Sequence, residues 1–579
     1  MRRPALAGVA AVAALLLTGC VQMPDSGPVT ESHSDTRVSA GSGVYINPRP
    51  PQQGASTTDI VRGFLAAMQA TPIQTKTARE FLSDEAAASW DPQQQTVTYA
   101  VPPTPRETQD GVAVTLDEPD RLDSRGAWQG ELPVGQRTIR FPMVLVDGEW
   151  RIDAAPNALI VPEGWFEDNY QPVSLYFFDP TASILAPEPV YVPRGQTLAS
   201  TLTRSLLLGP GDGMDRVIQS FIPSGLKIAV GVAVSDDGIA NISLTGDAGT
   251  LTSDAVGLMM AQFAWTLRQD PSVTGIKVSI DGEPLPLPGG MSSYRIDGGA
   301  EYDPAGFRAS PLLYGLRDGV LASATTGALT AVSGPMGTDA LGLRSVGVDV
   351  DATTAAGVTD DGRSVIEAPV SSSDDGRPRT VFNGTDLLAP RWDFADRMWL
   401  VDQTADGAEV SWVRDGRSAT VDVPGVTGEQ VRAFLVSRDG TRFVAVVRRP
   451  SGDSLMISRI AHSRSGRVLW ATSARRISTD SDTQLPVRAI AWRTSSSIAL
   501  LNPFTTATSQ VRSASVDGSP AGSDTPAATV QGRLRYLAGS PVLDERLFGI
   551  TSGSLIDLTS PDHRSVPLSD GVDAVTYAG

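Results

Sequence analysis

Thiols, imidazoles and paired carboxylates supply most of the nucleophiles, bases and soft ligands of proteins, and this chain of 579 residues is sparing with the first two. It has one cysteine, Cys20, and three histidines, His33, His462 and His563. A single cysteine excludes a disulfide within the chain and leaves a zinc site of Cys or His ligands without its set, so no metal is expected. A hydrolytic triad needs a His base beside a nucleophile. His33 falls in a proline- and serine-rich stretch, and His462 and His563 stand among polar residues with no nucleophile motif nearby, so both are expected at the surface. No Gly-x-Ser-x-Gly occurs at a plausible strand-to-helix elbow, and no phosphate-cradling Gly-rich loop with Lys occurs. Carboxylates are abundant, with 65 Asp and Glu, and folding can bring a pair to the roughly 5 to 10 Å that glycoside chemistry uses. The adjacent pairs Asp360-Asp361 and Asp374-Asp375 occur in turn contexts, where such side chains hydrogen-bond the backbone. The chain therefore reads as a non-enzyme, with no catalytic, cofactor-binding or metal-binding residue to name. A carboxylate site in the C-terminal region is the remaining route to catalysis.

Cys20 stands where a lone thiol has a use. Arg2-Arg3 precede an apolar run of 13 residues, Ala5 to Leu17, and the run ends Leu17-Thr18-Gly19-Cys20. Thirteen helical residues reach about 20 Å against a hydrocarbon core of about 30 Å, too short for a conventional span and suited to the apolar region of a signal peptide. Small Thr18 and Gly19 admit a peptidase, the Cys20 sulfur carries a diacylglyceryl group, and cleavage before Cys20 frees an amine for a further acyl chain such as palmitate. Two or three chains anchor a protein stably where one does so marginally. The alternative is a chance cysteine after an ordinary secretory leader. The reading adopted is lipidation at Cys20, a lipobox of Leu17, Thr18 and Gly19, and a body held at the extracytoplasmic face of the cell membrane by covalent lipid.

The formal charge of −18 disfavours nucleic acid, whose binding draws on Lys and Arg at phosphates. At the usual 100 to 200 residues per domain, the length predicts roughly three or four folded units. Residues 21 to 57 hold 5 Pro, 6 Ser and 4 Gly, the composition of a flexible stalk.

Ordered elements are expected from Thr57-Thr58-Asp59, a helix cap, followed by Ile60, Phe64 and Met68 on one stripe with Val61 and Leu65 beside it. A second helix is expected to carry Phe81 and Leu82. Strands follow at Thr96 to Val101 and Val112 to Leu116, then a hairpin turning at Asp147-Gly148 before Trp150-Arg151-Ile152-Asp153. Further on, Val173 to Asp179 reads as a buried strand, and Leu198, Leu202 and Leu206 as a helix closed by Gly209-Pro210. Ala240, Ile242 and Leu244 alternate with polar residues as in a half-covered strand. Val256, Met259, Met260, Phe263, Ala264 and Leu267 mark an amphipathic helix, leading into a strand of Ile276, Val278 and Ile280. Beyond Pro284 to Gly290 the helical period vanishes and Asp-Gly turns multiply, at Asp318, Asp361, Asp415, Asp439 and Asp517. Strand starts anchored at Val320, Val365, Trp399, Phe443, Ile498 and Leu547 lie 45, 34, 44, 55 and 49 residues apart. A four-stranded propeller blade needs about 45. About six blades fit; a pair of β-sandwiches is the alternative. Trp392, Trp399, Trp412, Trp470 and Trp492 fall here and are expected mainly in blade cores.

The fold class is thus multidomain: an α+β N-terminal domain, an α/β sandwich and an all-β propeller. The boundaries are 1–19 for the signal peptide, 20–57 for lipidated cysteine and stalk, 58–168, 169–290 and 305–579. The helices-then-sheet order and the ending Asp147 to Asp153 resemble the nuclear-transport-factor-2-like (NTF2-like) fold. Leu207-Leu208-Gly209-Pro210, Ile222-Pro223-Ser224-Gly225, Phe263 to Leu267 and Val278 to Glu283 resemble the GerMN domain of cell-envelope proteins. With lipobox, stalk and propeller in this order, the whole resembles the LpqB lipoprotein family of actinobacteria. The resemblance implies an accessory of a two-component system, the MtrA and MtrB pair, contacting the sensor kinase ectodomain in cell-envelope homeostasis. Residue chemistry leaves a second reading open, a cell-wall ligand carrier or a propeller glycan-active enzyme.

Overall fold

The computed structural model describes residues 47–579 apart from Gln196, Asp212, Asp215, residues 373–375, residues 478–485, Thr506, residues 521–527, Pro541 and residues 543–545. Leu17, Thr18, Gly19, Cys20 and His33 lie outside the described residues, as do Asp374 and Asp375. No helix among the described residues is long and apolar enough to cross a membrane.

The first helix among the described residues, Thr57–Ala67, begins because Ser56 is extended and its Oγ accepts the Asp59 amide at 3.2 Å. Its inner face buries Ile60, Val61, Phe64 and Leu65, with the Phe64 ring 5.3 Å from Trp90 and 6.0 Å from Phe141. Phe81 and Leu82 do not extend a second helix. That helix stops at Lys76–Arg79, and the Phe81 carbonyl accepts from Ile152 N while Ser83 N donates to Ile152 O, at 2.9 and 2.8 Å. The backbone there pairs with a strand end before the short helix Asp84–Ser89 begins. A sheet in the order Trp128–Glu131, Asp120–Asp123, Gln95–Tyr99, Leu159–Pro162 and a three-stranded sheet complete this domain with the hairpin Met143–Val146 and Glu149–Ile152. Asp147 and Gly148 both take positive φ, 52° and 83°, as a primed hairpin turn requires.

The central domain is built on a two-stranded ribbon, Tyr170–Phe178 against Leu185–Pro193, and a sheet whose central strands Ile239–Thr245 and Gly275–Ile280 run parallel. The helix Ser253–Leu267 joins those parallel strands and is capped by Thr252. It buries Met259, Met260, Phe263 and Leu267, but its other flank is covered too. A two-stranded ribbon leaves an open edge whose backbone groups need partners. Gln269 Oε1 accepts from Ser174 N and its Nε2 donates to Ser174 O, at 2.8 and 2.7 Å. Thr266 Oγ1 accepts from Tyr176 N at 3.2 Å and Gln262 Nε2 donates to Tyr176 O at 3.0 Å. Gln262 and Thr266 share one face of the helix and Gln269 lies in the turn just past its end, so one flank of the helix and that turn close the ribbon edge.

The C-terminal region is a six-bladed propeller, each blade a separate antiparallel sheet, and not a pair of sandwiches. Blade 1 combines Leu313–Arg317, Val320–Ala324 and Thr330–Ala331 with Val572–Tyr577, so the last strand of the chain closes the ring. Blades 2 to 6 occupy 343–383, 391–420, 430–476, 489–531 and 536–567. Their innermost strands touch in sequence, and the ring shuts where Tyr536–Gly539 and Leu343–Val348 both meet Val572–Tyr577. Trp399 and Trp392 are core, Trp412 and Trp492 are half-buried, and Trp470 departs from the expectation at 44% exposed. His462 departs as well. It ends the blade 4 strand Gly452–His462 and is buried, its amide donating to Arg216 O of the central domain at 2.8 Å.

Candidate functional site

The three domains meet around one strand, Leu185–Pro193 of the ribbon. On the N-terminal side, the Tyr191 amide donates to Gly126 O at 2.8 Å and its ring lies 6.1 Å from Trp128 and 5.3 Å from Phe166. On the propeller side, Glu188 receives two arginines of blade 4. Arg459 grips it with both terminal nitrogens, Nη1 to Oε2 at 3.0 Å and Nη2 to Oε1 at 2.6 Å. Arg442 Nη2 donates to the same Oε1 at 2.8 Å and to Pro187 O. The positions follow from strand register. Arg442 and Arg459 are direct partners across the Arg442–Arg449 and Gly452–His462 strands, so their side chains leave the same face side by side.

Burial pushes the Glu188 carboxyl up, but Arg459 and Arg442 together outweigh it and hold the group below the usual carboxylate range. Arg442 is lowered by burial and by the like charge of Arg459, with Glu188, Asp439 and Asp517 opposing. Beside this lock lies a cavity of about 600 Å³ shared by all three domains. Its lining includes Arg121 and Arg125 from the N-terminal domain, Glu188 from the ribbon, and Arg442, Arg459 and Arg475 from blade 4, with Asp123 and Asp517. Asp123 accepts Arg125 Nε and Nη2 at 3.1 and 2.6 Å, while Arg125 Nη1 donates to Gly209 O at 3.4 Å.

The propeller axis is the other place where chemistry was expected. One cavity beside the innermost strands, of about 30 Å³, is lined by Arg391, Leu435, Arg438, Trp492 and Tyr577 among others, and by no Asp or Glu side chain. Arg391 Nη1 donates to Thr576 Oγ1 at 3.0 Å, and Arg438 Nη1 donates to Ala305 O at 2.7 Å. Burial pulls both guanidiniums down to about 10. Asp120 is pushed up to about 6 by burial, then by Glu131, Glu163 and Glu118, but it does not line the junction cavity. Asp361 does what its turn context implies, its Oδ1 accepting Thr359 Oγ1 at 2.7 Å and Arg363 N at 3.1 Å.

None of the junction residues was singled out as functional from sequence; Asp517 was read only as part of an Asp-Gly turn. Glu188 and Arg459 are 271 positions apart, and no local pattern marks an arginine whose partner is on another domain. Arg442 opens the buried strand Arg442–Arg449 directly after the Asp439-Gly440 turn, a position that carries no mark of its partner.

Comparison with known proteins gives three family matches in the same order. Residues 50–167 match the lipoprotein LpqB N-terminal domain, 174–286 the sporulation and spore germination domain, and 319–557 the lipoprotein LpqB beta-propeller domain. Lipoprotein LpqB of Thermobifida fusca is 27% identical, the alignment covering 93% of this chain and 94% of the relative. Lipoprotein LpqB of Streptomyces avermitilis is 29% identical, covering 92% and 91%. Among solved structures, the first GerMN domain of the sporulation protein GerM from Bacillus subtilis aligns with 21% of this chain and 92% of its own, at 18% identity and a TM-score of 0.18.

Proposed function

Because this chain belongs to the LpqB lipoprotein family, we propose that it is tethered to the cell membrane through Cys20 and serves as accessory to a two-component sensor kinase of the MtrAB type in cell-envelope homeostasis. The relatives are named lipoprotein LpqB; the extracytoplasmic location, the anchor chemistry at Cys20 and the kinase are the proposal. The observation that carries it is where buried charge is placed. Glu188, Arg442 and Arg459 join one domain to another, so this buried charge holds the domains together. Domains locked this way present a surface that loses little conformational freedom on binding, which suits an adaptor. Such an adaptor biases a kinase ectodomain only by binding one of its conformations better than the other.

The test is cross-linking in membranes, with the native protein and with Cys20→Ala. Capture of a sensor kinase ectodomain by the native chain, lost in the variant, supports the reading. Enrichment of wall fragments with no kinase refutes it and puts the second reading first. That second reading, a carrier of a cell-wall ligand, is favoured by the size of the junction cavity, within the roughly 300–1,000 Å³ range of small-molecule sites.

A further inference from the structure

Residues lining the junction cavity carry buried polar atoms that have no hydrogen-bond partner among the described residues. Arg442, 0% exposed, uses Nη2 on Pro187 and Glu188 but leaves Nε and Nη1 without a hydrogen-bond partner. Nη1 lies 3.5 Å from Asp439 Oδ2, an ion-pair separation and not a hydrogen bond. Arg459 Nε and Arg121 Nε are also buried and unpartnered. In the same lining, Asp517 Oδ1 accepts from Ser515 Oγ, Ser519 N and Ser519 Oγ at 2.6, 3.0 and 2.6 Å, while its Oδ2 is buried with no donor. Folded proteins satisfy such groups, and here several of them sit together in the walls of one cavity, on residues that line it. The sign of the charge is specific. A chain of formal charge −18 has gathered five arginines against three carboxylates here.

We propose that this cavity binds a small oxyanion-bearing molecule, its phosphoryl or carboxyl group received by Arg442, Arg459 and Arg121 and a neighbouring hydroxyl or amino group by Asp517. Guanidinium forks match both oxyanions, and the unpaired Asp517 oxygen selects ligands that carry a donor beside the anion. The cavity volume admits a monosaccharide phosphate or a short peptide. Because its walls come from all three domains, an occupied cavity tightens the junction. The inference does not depend on the kinase reading.

The experiment is calorimetric titration of the full-length protein in mild detergent with glucose 6-phosphate, with citrate and with glucose. Saturable binding of either anion and none of glucose is expected, weakened about tenfold or more by Arg121→Gln and by Arg442→Lys, which keeps the charge but loses the fork. Arg121 lies outside the lock on Glu188, so its variant carries the test if the Arg442 variant fails to fold. Binding of glucose 6-phosphate alone assigns a phosphoryl ligand and binding of citrate alone a carboxylate one. Absence of binding by both anions at about 10 mM, unchanged affinity in Arg121→Gln, or equal binding of glucose overturns the proposal.

Discussion

Glu188→Gln keeps the shape of the side chain and removes the charge that Arg442 and Arg459 share. Arg442 side-chain exposure is 1%, so its guanidinium is left with Asp439 at 3.5 Å as its ion-pair partner. Breaking a buried pair by removing one member costs about 3–5 kcal/mol. Arg459, at 18% exposure, keeps some hydration, which places the expected loss at the lower end, about 3 kcal/mol. The assay is urea unfolding of the whole chain followed by tryptophan fluorescence, run beside Arg442→Met and the double variant. Removing both members leaves less uncompensated charge, so the double variant is expected to recover about 1 kcal/mol or more of the Glu188→Gln loss. Acid gives a second, independent reading. Glu188 is held below its ordinary value, so its contribution is full above the usual carboxylate pKa and is lost as pH falls through the folded value. The gap between wild type and variant should therefore close in acid. A gap under about 0.5 kcal/mol at neutral pH, or one that persists at low pH, refutes the reasoning.

Other consequences are equally direct. Burial, then Arg397, pulls the His462 imidazole down to about 4, with Asp393 and Asp439 opposing. A histidine lowered on folding leaves stability untouched above its unfolded pKa near 6.5 and drains it at up to about 1.4 kcal/mol per pH unit as pH falls toward the folded value. NMR should show His462 still neutral at about pH 5, and His462→Phe should flatten the stability profile between about pH 4 and 6.5; titration near 6.5 contradicts the placement. Gln269→Ala strips both partners from Ser174 and should cost about 1–3 kcal/mol, with hydrogen exchange at the Ser174 amide accelerated and the propeller amides unchanged. Cys20→Ala should move the protein from the detergent to the aqueous phase in a cloud-point partition; retention in detergent argues against lipid on Cys20.

What sequence could show depended on whether the signal was local. The helix Ser253–Leu267 was legible from its Met and Phe stripe, but not the burial of Gln262 and Thr266, because closing a ribbon edge is a tertiary demand on polar side chains. The six anchored strand starts fall one in each blade, and their irregular spacing has a structural cause. Val320 and Val365 lie on the third strand outward from the axis, whereas Trp399, Phe443, Ile498 and Leu547 lie on the second, so the step from 365 to 399 is short. Phe81 and Leu82 looked helical because two apolar neighbours carry no period; pairing with Ile152 decided their backbone. His462 was misread as surface because the residues after it are polar, while the strand that ends on it is core. The Glu188 cluster left no local pattern at all, since its members are brought together by docking of the ribbon on blade 4.

The central claim, that this lipoprotein biases a sensor kinase, is tested most directly by the autophosphorylation rate of an MtrB-type kinase reconstituted in vesicles, with and without the lipidated protein in the same membrane. The account predicts a change of about fivefold or more, the size of a typical coupling free energy, that is abolished when the protein carries Cys20→Ala. A rate unchanged by the lipidated protein at saturating surface density would contradict it.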